Sequence, residues 1–504
     1  RTTENGVTID STITKADPFG RVVKTTYLDG TYTAHSSFGL YGPRYSRSVD
    51  GSTNRTTYLP NGWVQTTLDG ATLVATTRSY DPLGNVIQLQ ETGTDGASVT
   101  TSGAFDPLGR VLSRTDLLGV TAISYESMPG LGTRVTTQPP GQQGTIIEER
   151  CYDGKLLKAH GSGTVAPARC EYATLPGGGT YEKTITLDAA GDDTPEWSAS
   201  HRNLLGQVFR SERPNEADET VAATVAFDAK ARPAKTVDEV GITDLTTYNP
   251  RTWEVQKNGR NLDGDSDTLD AAGTDRFSLY TNSVTADGSI RQTYAYPVSG
   301  SAHRILLSEV QRSHDGRQTT SSYAGRTTTS GRSAYGIGGI YTTETVNPDG
   351  TKTVTEYKQW RVDSARQYHK LNGTGPYVLH EYESYTYDGL GALTQVYNSR
   401  TGVTHYRYDS SRRLEAIDPP DIAKGTIRYE YATGTRRVSA MTRTDGTVVH
   451  YEHEDNGLLT RQWGGPEGDL RYEHDHQGRV TALKTWRNGR QVTTRWGYHP
   501  RTGR

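Results

Sequence analysis

The sequence is short of almost everything that builds a thick protein interior. Among 504 residues there are 6 Phe, 2 Met and 2 Cys, and hydrophobic residues make up 32%, below the usual globular share. A deep aliphatic core is therefore excluded. No stretch approaches the roughly 20 apolar residues that a membrane helix needs, and the start at Arg1 shows no apolar signal-peptide segment. An excess of one charge is missing too. The 55 Lys plus Arg and 58 Asp plus Glu are interspersed and leave a net charge of -3, without the basic footprint of a nucleic-acid binder. The chain also has no Gly-x-Ser-x-Gly elbow, His-Glu-x-x-His helix or phosphate-cradling loop, the motifs of common hydrolases and nucleotide enzymes.

Gly, at 55, and Tyr, at 31, are abundant instead. Aromatic and β-branched side chains suit a pleated, half-buried surface, and so much Tyr argues against disorder. An internal repeat organises them. Aromatic-x-aromatic (or His) recurs as Tyr385-Thr386-Tyr387, Tyr406-Arg407-Tyr408, Tyr429-Glu430-Tyr431, Tyr451-Glu452-His453, Tyr472-Glu473-His474 and Trp496-Gly497-Tyr498, and the last residue of each steps by 21 to 24 positions. Such a period is the mark of a stacked-repeat architecture.

A turn follows each pair. Asp17-Pro18-Phe19-Gly20, Asp81-Pro82-Leu83-Gly84 and Asp106-Pro107-Leu108-Gly109 carry the Asp, Pro and Gly preferences of a type I turn, and Arg21-Val22, Asn85-Val86 or Arg110-Val111 begins a returning strand. Strand alternation places Tyr406 and Tyr408 on one face and Arg407 on the other, with Glu430, Glu452 and Glu473 in the equivalent charged position. The expected product is an all-β chain of repetitive antiparallel hairpins, divided by regularity into 1–257, an irregular 258–341 and a regular 342–504.

These residues resemble the YD repeat, read approximately as Tyr-x-Tyr-Asp-x-x-Gly-Arg-Leu and carried by Tyr387-Asp388-Gly389-Leu390-Gly391 and Asp106-Pro107-Leu108-Gly109-Arg110-Val111. The family includes Rhs polymorphic toxins, shell subunits of insecticidal toxin complexes, and teneurins. The resemblance implies a sheet coiled into a large hollow barrel, cocoon or tube wall, secreted or on the bacterial cell surface, with the rest of the parent chain or an enclosed C-terminal toxin as partner. An Rhs-associated core with its self-cleavage site, which the family pattern places at the end of the shell, does not follow Trp496. The chain is accordingly expected to be a piece cut within a repeat, its last strand near Trp496 frayed or paired with another copy.

Several clusters could carry chemistry. Asp263, Asp265, Asp267 and Asp270 place carboxylates as in the first half of a calcium loop, although Thr268 stands where that loop needs Gly and Thr274 where it needs Glu; a solvated acidic loop is the alternative. Cys151 and Cys170 are expected to form a disulfide, eighteen residues lying between them. His453 and His474, with His450 and His476, could ligate a metal, but they occupy the Tyr position of the repeat and read more simply as layer residues. Trp63, Trp253, Trp360 and Trp463 could present flat faces to sugars. The expected function is a non-catalytic structural wall; an adhesive or glycan-binding surface is one alternative and an extracellular polysaccharide lyase or hydrolase another.

Overall fold

The computed structural model describes residues 2–4, 7–10, 12–27, 31–141, 143–262, 268–270, 274–296, 303–336, 339–373, 375–487 and 489–503. Among them there is no α-helix. From Ile13–Ala16 to Arg490–Arg495, 41 antiparallel strands form one sheet in which each strand pairs with its chain neighbours. The ladder runs unbroken past residues 257 and 341. No ladder among the described residues joins the last strand to the first, so the ribbon is open.

The ribbon is one layer thick. Its accessible surface is 28767 Å², whereas a compact monomer of 55.3 kDa would expose about 18,000 Å². Both faces therefore meet solvent over most of the length. Alternation along the strands sets their character: Tyr385, Tyr387, Tyr406, Tyr408, Tyr429 and Tyr431 are half-buried, while Arg407, Glu430, Glu452 and Glu473 are exposed. The aromatic layer expected from the repeat is present, but it is thin.

Among the described residues one cluster of buried apolar side chains packs together, while others, such as Leu187 and Val449, are buried singly along the sheet. Leu245, Gly259 and Phe277 face one another across three adjacent strands, Tyr296 stacks on Phe277 at 4.6 Å between ring centroids, and Leu269 from the connection 262–275 closes over Leu245 and Phe277. Gly259 is required there, because a Cβ would lie 2.3 Å from Phe277 Cα.

Candidate functional site

The repeating turn is the smallest unit of the ribbon. In Asp17-Pro18-Phe19-Gly20-Arg21 the Gly20 amide donates to Asp17 O and the Asp17 amide to Arg21 O, both at 2.9 Å, a type I turn followed by a left-handed residue; Gly20 has φ 79°. The Asp17 carboxylate accepts the Phe19 and Arg21 amides at 2.9 and 3.0 Å and the Arg21 guanidinium at 2.7 Å. The same Asp to Arg pair, four residues apart, recurs at Asp106/Arg110, Asp228/Arg232, Asp409/Arg413 and Asp475/Arg479.

Each of these arginines then covers an aromatic ring one hairpin further on. Arg21 lies over Phe38 at 4.3 Å, Arg110 over Tyr125 at 4.5 Å, Arg232 over Tyr248 at 4.0 Å, Arg413 over Tyr431 at 4.5 Å and Arg479 over Tyr498 at 4.8 Å. The Tyr hydroxyl reaches back to the residue after the arginine: Tyr248 donates to Pro233 O, Tyr431 to Leu414 O and Tyr498 to Val480 O, at 2.7 to 3.0 Å. Tyr58, Tyr80, Tyr172 and Tyr408 make the equivalent bond. Tyr, Asp, Gly and Arg of one repeat are thus tied to the Tyr of the next, and stability passes along the ribbon by neighbour contacts.

This bonding shifts the acids and phenols in opposite directions. The Arg232 guanidinium, then the Arg232 and Lys230 amides, pull the Asp228 carboxyl down to about 2. At Asp475 burial works against ionisation, yet Arg479 and the Arg479 and Gln477 amides still hold the group below its usual range. Burial pushes the Tyr408 and Tyr431 phenols up.

Every hairpin turn lies on one of two edges. The repeat turns just described occupy one edge and the return turns the other. At most repeat turns a register shift precedes the turn, as between Arg407 and Tyr408 or Glu473 and His474, and such bulges add twist. The twisted ribbon coils until a later repeat turn seats on an earlier return turn. Gly389 N donates to Asp95 Oδ2 at 2.8 Å, Ser411 Oγ to Leu117 O at 2.8 Å, and Gln143 Nε2 to Gly434 O at 3.2 Å. Arg479 Nη1 meets Glu196 at 3.2 Å and Arg501 Nε meets Asp218 at 3.0 Å.

Those hydrogen-bonded partners are 283 to 294 residues apart, so one round of the coil takes that length of chain. The seam between rounds is closed by glycines: a Cβ on Gly93 would lie 2.5 Å from Gly389 C, and one on Gly141 would lie 1.9 Å from Thr433 O. Two open grooves follow it. One, of about 600 Å³, runs between Gly70–Leu73 and Tyr385–Gly389, and the next, of about 570 Å³, is lined by Thr72, Glu91, Leu117, Leu390 and Arg412.

The residues singled out from the sequence are scattered. Asp263, Asp265 and Asp267 lie outside the described residues. Asp270 is held by its amide on the buried Asp275 carboxylate, which also accepts the Leu262 amide at 2.9 Å; Asp275 thus ties the neck of the acidic connection. Among the described residues no group of three acidic, His or Cys side chains could hold a metal. Cys151 and Cys170 are free thiols, and the expected bridge is absent. The strand Leu156–His160 separates theirs, placing them about 10 Å apart across two ladder steps, beyond the roughly 7 Å Cα reach of a disulfide.

His453 sits in the aromatic layer, where burial and then Arg437 lower its pKa, and His450 stacks on Trp463 at 5.1 Å. The four tryptophans form no common surface. Trp63, Trp253 and Trp360 stand at repeat turns, Trp63 against Tyr80 and Trp360 against Tyr335 and Tyr341, and Trp463 ends a strand at the other edge. Near the chain end Trp496 is not frayed: its amide donates to Thr481 O at 2.9 Å.

No protein-family model matches this chain, and no curated protein matches it by sequence. Solved structures do match. The crystal structure of TcdB2-TccC3-TEV is similar over 98% of this chain, with a TM-score of 0.56 and 13% identity, the chain spanning 26% of that structure's length. The fold is shared. A Photorhabdus luminescens Tc holotoxin pore structure aligns over 94% of this chain and 31% of its own, at 12% identity and a TM-score of 0.37. TcdB2-TccC3 without its hypervariable C-terminal region aligns over 94% and 32%, at 12% identity and 0.35.

Proposed function

We propose that this chain is a non-catalytic wall segment of a secreted or cell-surface bacterial shell of the YD-repeat type, enclosing or presenting another part of a longer polypeptide. The observation that carries the reading is the single-layer ribbon, which exposes about half as much surface again as a compact protein of its mass and seats on itself after one round. A layer of this kind separates two aqueous spaces and has little interior of its own. The fold likeness to TcdB2-TccC3-TEV supports the same reading, since the chain covers only a quarter of that structure. Following the resemblance, the enclosed partner is a C-terminal toxin. No helix among the described residues is long and apolar enough to cross a membrane.

Electron microscopy of the full-length parent tests this. The expected particle has a lumen bounded by this segment; a solid particle contradicts the proposal.

A further inference from the structure

The two sides of the seam are matched in charge. The first-round return turns from 48–52 to 215–219 carry acidic residues, among them Asp95, Glu216 and Asp218, and neither Lys nor Arg. Second-round return turns mix the signs instead, with Arg400, Lys424 and Arg443 beside Asp421, Asp445 and Glu467. Across the seam, the turns 409–413, 475–479 and 499–503 bring Arg412, Arg479 and Arg501 to Asp95, Glu196 and Asp218. Asp388, which precedes the Gly389 seated on Asp95, is paired with Arg412 at 2.8 Å. The turn with two acids and no cation, Glu454 to Leu458, seats on the uncharged turn 139–145, where the Gly144 amide donates to Asp455 O at 3.0 Å.

Backbone strain marks the same line. Among the described non-glycine residues in the left-handed region, two are charged, Arg412 at φ 57° and Asp218 at φ 67°. Both lie on the seam. Arg412 stands where Gly20, Gly109 and Gly478 occupy the other turns, and Asp218 where Gly96 and Gly191 do. A side chain there costs backbone energy that glycine would spare, and such outliers point to a role for the side chain. Asp95 shows what Arg412 contributes: the Gly389 and Ala97 amides first, with Arg412 adding to them, hold its carboxyl below the usual range.

We propose that the seam is an electrostatic zip, a joint along which one round of the coil parts from the next at raised ionic strength while the repeats stay folded. Within the sheet each strand is joined to its neighbour by a ladder of backbone bonds, which salt does not screen. Between rounds the turns touch through single bonds and through ion pairs open to solvent, with the Asp218 side chain 64% exposed, and such pairs weaken as salt rises. The joint is therefore the part of the ribbon that yields first. Its use rests on the wall reading: a zipped seam lets an enclosed segment enter or leave sideways without unfolding the wall.

Amide hydrogen exchange of the chain, compared at 0.01 M and 1 M sodium chloride, where the screening length falls from about 30 Å to about 3 Å, tests the zip. The Gly389 and Gly144 amides should exchange about tenfold faster at the higher salt, while the amides of the Tyr406–Ile417 ladder stay within about twofold. Glu196→Lys/Asp218→Lys should give the fast seam exchange already at low salt, and adding Arg479→Glu/Arg501→Glu should slow it again, with far-UV circular dichroism unchanged in both. Seam exchange indifferent to salt, seam and ladder amides that accelerate together, a faster Gly389 without Gly144, or a charge swap that fails to restore slow exchange would each overturn the zip. Scattering on the same samples separates the two readings: an extended coil whose seam ignores salt refutes the zip alone, and a compact particle in both salts refutes the wall.

Discussion

The segment around Leu245 and the regular repeats from Tyr377 onward are built from the same strands and turns, yet they are held together differently. Around Leu245 the side chain of Leu269 packs over one face, and Leu245, Leu269 and Phe277 fall to 2–6% exposure. In the regular repeats no connection covers the sheet. Their cohesion comes from tyrosine hydroxyls on backbone carbonyls and from arginines laid over rings, each contributing about 1 kcal/mol or less. Such a ribbon can therefore be stabilised by many small, repeated bonds, with single buried side chains such as Val449 along it and a packed cluster where Leu269 covers Leu245 and Phe277.

The sharpest test of that contrast is Leu245→Ala, which should cost about 2–5 kcal/mol as a cavity in that packed cluster. Its denaturant midpoint should fall far more than that of Val396→Ala in the regular repeats, and equal losses would erase the distinction. Next comes the seam: Gly93→Ala drives a methyl into the Gly389 backbone and should cost about 1–3 kcal/mol, with faster amide exchange at Gly389. Unchanged exchange there would mean that the two rounds are not in contact.

Within one repeat, Tyr408→Phe removes the hydroxyl bond to Leu393 O and should cost about 1 kcal/mol, while Arg407→Ala on the exposed face should cost less; matching midpoints would contradict the face assignment. Acid should loosen the turns. The Asp228, Asp409 and Asp475 carboxyls are depressed in the fold, so their contribution is complete above the ordinary carboxylate pKa and is lost as pH falls below about 4. Asp228→Asn should flatten part of that decline in a pH series of thermal midpoints, and an unaltered slope would count against it. The smallest effect is a gain: Ala231 has φ 60° where other repeats place Gly, and Ala231→Gly should add about 1 kcal/mol or less.

How far the sequence could be read follows from which interactions are local. Tyr406 and Tyr408 share a face because strand alternation is a two-residue property, and Asp106 to Gly109 form a turn because its preferences lie within four residues. The bridge expected between Cys151 and Cys170 failed because sequence spacing cannot reveal that Leu156–His160 would be threaded between them. Seating one round on another was also out of reach, since its partners are nearly 300 residues apart. A signal did exist in Gly93, whose backbone needs no left-handed conformation and whose role is close approach. The arginine after the turn glycine was visible as Gly-Arg-Val, but its place over the next ring requires knowing which hairpin is adjacent. The acidic connection was noticed for Asp263 to Asp270, whereas the residue that ties its neck is Asp275.

Solution scattering tests the central claim, a single-layer ribbon coiled on itself, most directly. A compact domain of 504 residues would have a radius of gyration of about 23 Å. The coiled ribbon predicts a clearly larger value for the protomer, fitted by this open coil; a protomer near 23 Å with a globular profile would contradict it.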